Sequence, residues 1–324
     1  MKKVFIISIS LVLLFLLTVG VFWIFFAPVG TSNEIGVFVI PENKENFDIV
    51  KTLKEKKFIK STSAFKFLIN NFSYGRGMES GGYKLSQNMN AWQVMKKISG
   101  KADLVWFRQS YCVRKEQLGE YLAETLGWNS TQLNSWNSLY NNDKPDYFEG
   151  VYYPDTYLIP LDETPAQVAQ RFINRFNEKF APLADEFAAK NIKWTTGIKI
   201  ASLIAREAAG TSDMKLISGI IWNRLDMEMP LQIDATMQYT LGKKDNGSWW
   251  GGIDLAEKQS DSPYNSYLYK GLPPTPICSP NIDAIEAALN PEETDCLFYL
   301  HGADKQIHCA KTYKEHLVNI EKYL

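Results

Sequence analysis

Residues 194–210 read WTTGIKIASLIAREAAG, and this stretch decides how the rest of the chain is understood. Thr195 or Thr196 can cap a helix at its start and Gly210 can stop it, so the segment is predicted to be helical. At about 100° per residue, Ile200, Leu203, Ile204 and Glu207 form one stripe in the i, i+3, i+4, i+7 pattern. A carboxylate therefore interrupts an apolar face. Burial disfavours the charged form and raises a glutamate pKa, as a general acid working near neutral pH requires. The plain alternative is a helix-end glutamate that reaches out to solvent or pairs with Arg206 or Arg224. Periodicity alone leaves both open.

Working outward, the N-terminus carries the other decisive signal. From residue 4 to residue 26 the non-apolar side chains are Ser8, Ser10 and Thr18, with Gly20. A run of that length crosses a hydrocarbon core of about 30 Å. Lys2 and Lys3 precede it, so the expected topology is a cytoplasmic tail at 1–3, a transmembrane helix at 4–26 and everything later on the far side of the membrane. A cleaved signal peptide fits less well. The run exceeds a usual h-region and lacks a small-x-small cleavage site before Pro28.

The 324 residues are 45% hydrophobic and 22% charged with a net charge of -1, an ordinary globular balance that argues against a nucleic-acid partner. The exported part, roughly 300 residues, is more than a single core usually holds. A first unit is expected over 27–100, with a strand at 36–41, helices at 46–56, after Ser61 and at 90–98, and a turn and strand at 81–85. A strand at 103–108 and a helix at 114–126 follow. Residues 127–148 show little periodicity and read as a surface excursion. The rest, in a second unit over 101–324, carries the interpretable chemistry. The fold class is α+β. Four cysteines, Cys112, Cys278, Cys296 and Cys309, allow three pairings where disulfides are permitted, or serve as small buried thiols.

Residues 200–242, IASLIAREAAGTSDMKLISGIIWNRLDMEMPLQIDATMQYTLG, resemble the core of the endolytic murein transglycosylase family, also called YceG-like or MltG. The likeness rests on Ala201, Ser202, Leu203, Ile204 and Glu207, then Asn223, Arg224 and Leu225, then Leu231, Gln232, Asp234 and Thr236. EGVYYPDTY at 149–157, the stretch 262–291 and HCAKTYKEH at 308–316 resemble its flanking motifs. Departures are Thr275 for a Gly, Ser266 for a Thr, Ala205 for an acid two positions before Glu207, and an inserted stretch at 243–258. The likeness spans nearly the whole chain, including the anchor and a small LysM-like α/β unit before a mixed α+β catalytic domain.

The resemblance implies a lytic transglycosylase that cuts the MurNAc–GlcNAc β-1,4 bond within peptidoglycan strands and leaves 1,6-anhydroMurNAc ends. Such a reaction needs one carboxylate, because the nucleophile is the C6 hydroxyl of the substrate. Glu207 would protonate the glycosidic oxygen and then take the hydroxyl proton. A water-using muramidase would instead need a second carboxylate, Asp213 or Asp234. By the same resemblance Gln232, Asp234, Ser262, Tyr264 and Asn265 are expected to bind substrate, with no cofactor and no metal. It also implies work beside peptidoglycan synthases at the inner membrane, on strand length during wall assembly. Ser262, Tyr264 and Asn265 could equally be turn formers, and Gln232 and Asp234 helix caps. His308 reads as a wall or structural residue, and Trp249 and Trp250 as anchors of the inserted loop or as a face on which a sugar stacks.

Overall fold

The computed structural model describes residues 2–73, 78–139 and 145–324, with side chains from residue 6 onward. Within 127–148, residues 140–144 lie outside the described ones, as does Met1 of the expected cytoplasmic tail. Compactness divides the chain into Met1–Phe107 with Tyr157–Glu163, and Arg108–Thr156 with Thr164–Leu324.

Unit 1 opens with α1, Lys2–Phe25, whose stretch Ile6–Phe25 is long and apolar enough to cross a membrane and exposes its apolar side chains. Its 24 residues span about 36 Å at about 1.5 Å each. Then come β1 (Ile35–Ile40), α2 (Ile49–Glu55), α3 (Thr62–Phe72), β2 (Gly81–Ser86), α4 (Ala91–Ile98), β3 (Leu104–Arg108) and, much later, β4 (Thr156–Pro160). They form a four-stranded sheet in the order β1-β2-β3-β4, with β2 antiparallel to both β1 and β3. Alternation turns Phe38, Ile40, Tyr83 and Leu85 inward, where Leu53, Phe65, Val94 and Ile98 of the helices close a core over them. Side chains start the helices: Asp48 caps α2, Ser61 caps α3, and Asn90 with Gln93 forms a capping box on α4.

Unit 2 is mostly helical: α5 (Lys115–Leu126), α6 (Ser130–Ser138), α7 (Pro165–Phe180), α8 (Ala184–Ala189), α9 (Trp194–Glu207), α10 (Met214–Asp226), α11 (Asp234–Leu241) and α12 (Ile282–Leu289). It ends in an antiparallel hairpin, β5 (Phe298–His301) and β6 (Ile307–Ala310), followed by α13 (Tyr313–Tyr323). The stretch quoted first is the centre of its core. Ile198, Ile200, Ala201, Leu203 and Ile204 of α9 are all fully buried, among residues of α8, α10, α11 and α12. Gly197 lets the helix approach Phe187, since a Cβ there would fall 2.2 Å from that ring. The four cysteines pair as Cys112–Cys278 and Cys296–Cys309.

Two expectations are corrected. The 127–148 stretch is not all excursion, because it contains α6, which starts on an Asn129–Gln132 capping box. Its Trp136 is fully buried under Gly119 of α5 and donates to the Lys115 carbonyl at 2.8 Å. The second correction is to α9, which starts at Trp194 without a side-chain cap and stops at Glu207, with Ala208 already extended. Gly210 is thus three residues too late, and the stop is made by Asp213. That side chain accepts from the N–H groups of Ala209 (2.9 Å) and Gly210 (3.2 Å) and turns the chain out of the helix.

Candidate active site

Glu207 is the last residue of α9, partly exposed at the rim of the core. Two physical effects disfavour its ionisation. Loss of water around the carboxyl raises its pKa, and the neighbouring charge of Asp234 acts the same way. Its place at the negative end of the helix adds to both. Opposing them, Tyr299 of β5 donates its phenol to Glu207 Oε2 at 2.6 Å, a bond that favours the ionised form, and the charges of His301 and Arg206 help. The net direction is upward. One oxygen is held by the phenol, which leaves Oε1 for another partner.

The arginines that could have neutralised this carboxylate are engaged elsewhere. Arg206 lies over the face of Trp250, 4.0 Å from the ring centre. Arg224, buried on α10, donates to the carbonyls of Leu297 (2.6 Å) and Leu231 (2.6 Å) and so binds β5 and the start of α11 to one frame. Strand alternation puts Tyr299 and His301 on the same face of β5. His301 Nε2 lies 2.7 Å from Asp213 Oδ2. Burial alone would raise the pKa of Asp213, but the bonds from His301, Ala209 and Gly210 outweigh it and hold the carboxyl low. Asp213 is therefore a fixed anion that shapes the loop after Glu207.

The five other expected site residues separate into two groups. Gln232 and Asp234 are exposed at the head of α11. Gln232 sits in the left-handed region at φ 54, its N–H bonded to the Ser266 carbonyl at 2.9 Å. Neither side chain caps α11. Asp234 instead accepts from Tyr267 and pairs with Lys258 at 3.0 Å. Ser262, Tyr264 and Asn265 have their polar atoms committed, Ser262 to α11 and the other two within the loop. Ser262 Oγ meets Thr240 Oγ1 at 3.1 Å, and the Tyr264 hydroxyl meets Thr275 Oγ1 at 2.8 Å. Asn265 is fully buried, donates to the carbonyls of Lys258 (3.0 Å) and Ser260 (2.8 Å) and accepts from the Tyr267 N–H (2.9 Å). These residues shape the segment that presents Lys258 and Tyr267 to Asp234.

Trp249 and Trp250 fasten the inserted loop to α5, donating to Glu120 (3.1 Å) and Gln117 (3.1 Å). His308 stacks on Tyr323 with ring centres 3.5 Å apart and bonds Asp304, a structural role. Sequence reasoning passed over Tyr299, His301 and Glu149. The period of two in FYLH was a usable signal for the first pair, but nothing local tells which helix that strand face meets.

Glu149, at the head of the quoted EGVYYPDTY, is fully buried. It accepts from the Lys115 N–H at 2.5 Å and the Tyr239 hydroxyl at 3.1 Å. Burial, with the charge of Glu116, pushes its pKa up to about 8 against the opposing charge of Arg114.

A mixed fold with an α9-centred core, a carboxylate at the end of that helix and a hairpin phenol on it places the chain within a class of proteins recognisable from sequence. Residues 38–322 match the YceG-like family, and the chain belongs to it. A Bacillus subtilis (strain 168) protein named endolytic murein transglycosylase is 27% identical over 320 residues, covering 92% of this chain and 87% of that one. A Streptococcus pneumoniae (serotype 2, strain D39) protein of the same name is 32% identical over 182 residues, covering 54% of this chain and 32% of its own greater length. The crystal structure of a yceG-like protein from Listeria monocytogenes matches with a TM-score of 0.60 at 27% identity, over 89% of this chain and 99% of that one.

Proposed function

We propose that this protein is a membrane-anchored endolytic lytic transglycosylase that cleaves the MurNAc–GlcNAc β-1,4 bond within peptidoglycan strands and leaves 1,6-anhydroMurNAc ends. Glu207 is its acid–base residue. Its raised pKa favours the protonated form, which gives its proton to the glycosidic oxygen. The resulting carboxylate takes the proton of the C6 hydroxyl as that oxygen closes on C1. Tyr299 is a positioning residue that fixes the carboxylate through Oε2 and leaves Oε1 to the substrate.

The observation that carries this reading is the commitment of the neighbouring carboxylates. Asp213 is buried and bonded to two backbone N–H groups and His301, and Asp234 is paired with Lys258 and Tyr267. A water-activating second carboxylate, as in a muramidase, is thereby disfavoured. Gln232 and Asp234 contact the sugar directly, and Ser262, Tyr264 and Asn265 act through the loop they hold. The β1-α2-α3-β2 order over 27–100 supports a LysM-like reading of that part, with the catalytic domain over 101–324. Topology follows the apolar α1: N-terminus in the cytoplasm, the rest on the wall side of the plasma membrane, beside peptidoglycan synthases, where cuts within nascent strands set their length.

The test is digestion of purified peptidoglycan by the detergent-solubilised full chain, with mass analysis of the released ends. Anhydro ends, one water lighter than hydrolysed ones, are expected. Hydrolysed ends would assign a muramidase, and intact strands would end the enzymatic reading.

A further inference from the structure

Unit 1 follows the apolar helix without a slack spacer. The carbonyl of Phe26 accepts the N–H of Ala91 at 2.9 Å, and the carbonyl of Trp23 accepts the Lys60 ammonium at 3.0 Å. Ala27 is buried. The Gly30 N–H bonds the Gln87 carbonyl (3.0 Å) and the Asn88 N–H bonds the Ser32 carbonyl (3.2 Å), which fastens the exit segment to the end of β2. The helix exit is thus fixed against the first turn of α4.

The surface beside that exit is aromatic and basic. Trp92, the residue after Ala91, is 38% exposed, Phe72 37% and Phe67 57%. Phe72 meets Trp92 edge-on with centres 5.1 Å apart, and Phe67 meets Phe72 at 6.2 Å. Phe72, Trp92, Met95 and Lys96 line a shallow groove of about 290 Å³ between α3 and α4. Neither stretch 57–73 nor stretch 88–102 contains an acidic residue, while together they carry Lys57, Lys60, Lys66, Lys96, Lys97 and Lys101.

Depth decides what covers this surface. A helix of about 36 Å across a core of about 30 Å delivers its end at headgroup level, in a layer about 5–8 Å thick. A backbone bonded directly to the Phe26 carbonyl lies within that layer or at its edge. Exposed Trp and Phe favour that zone, and lysines such as Lys96, at the groove itself, favour anionic lipid, whereas Lys97 is already paired with Asp103 at 2.6 Å.

We propose that the Phe67–Phe72–Trp92 surface of unit 1 rests in the headgroup layer of an anionic bilayer, a second attachment that fixes the orientation of this unit at the membrane. The proposal rests on α1 spanning the bilayer. A comparison position exists in the same unit. Leu161 is 40% exposed, and its N–H bonds Asp103, next to Gly82. That is the opposite end of β2 from Gln87, about 17 Å along the strand.

The full chain carrying p-benzoylphenylalanine in place of Phe67, Trp92 or Leu161 is reconstituted into phosphatidylethanolamine–phosphatidylglycerol vesicles and irradiated. Lipid adducts at 67 and 92 are expected at least tenfold above those at 161, with the chain retained after an alkaline carbonate wash. Retention without that enrichment overturns the proposal alone. Release by carbonate overturns the spanning reading and this proposal with it. Protein adducts in place of lipid adducts at 67 and 92 in irradiated cells assign the surface to a protein partner and also overturn it.

Discussion

Glu149 and Glu207 are both glutamates that burial makes hard to ionise, yet their surroundings differ in kind. Glu149 is sealed, and each of its oxygens meets a donor from the protein, the Lys115 N–H and the Tyr239 hydroxyl. Its Gly150 neighbour packs so closely that a Cβ would fall 2.4 Å from Ile198. Glu207 is also displaced upward but stands at a helix end, held by one phenol, with part of its surface open. A raised pKa therefore does not by itself mark a catalytic group. What separates the two is an oxygen without a partner among the described residues and a route to it, a criterion that requires the fold.

The comparison can be broken most directly at Glu207. Glu207→Gln is expected to lower release of anhydro ends by about a thousandfold, within the range general acid–base groups contribute. Its circular dichroism should stay unchanged. Cleavage at the parent rate would transfer the role to another residue.

Glu149→Ala is expected to do the reverse. It strands the Lys115 N–H and the Tyr239 hydroxyl and opens a cavity, costing about 2–4 kcal/mol of stability in urea titrations. Cleavage per folded molecule should stay within about threefold, and a loss like that of Glu207→Gln would erase the distinction.

The same residue has a pH signature. With a folded pKa of about 8, above its unfolded value, Glu149 contributes stability fully below the unfolded pKa and loses it as pH rises through about 8. Urea midpoints of the parent should fall across that window by at most about 1.4 kcal/mol per pH unit from this group. In Glu149→Gln that fall should be reduced.

Tyr299→Phe should cost about tenfold in rate. It removes a bond that favours ionised Glu207, so the pKa rises further and the alkaline limb of the rate profile moves to higher pH. An alkaline limb that stays in place or moves down would show that the phenol does not govern this carboxylate. Smallest is Trp250→Ala, which takes the aromatic face from Arg206 and should slow cleavage about threefold.

The sequence was most readable where a local rule acts alone. The cap at Ser61, the helix from 90, the strands near 36 and 103, and the apolar stripe of α9 follow from periodicity and short side-chain bonds. Membership of the YceG-like family was legible in the motifs around Glu207. Less readable were features set by distant partners. Thr156–Pro160 is a short β-branched and aromatic run ending in Pro, a strand signal that starts in the last two residues of the EGVYYPDTY motif and runs past it, and its sheet neighbour lies some fifty residues earlier. Trp136 gives α6 its burial, but only because Gly119 leaves room. Asp213 resembled a spare carboxylate until its backbone bonds appeared, and the pairing of four cysteines was open until the chain was folded.

The route of the chain between its units has an evolutionary consequence. It leaves the first unit after Phe107, returns for Tyr157–Glu163 to complete the sheet, and leaves again. Neither unit is a contiguous cassette, so one recombination breakpoint cannot exchange the catalytic part for another without taking β4 from its sheet. The two must be inherited, and diversify, as a single gene segment.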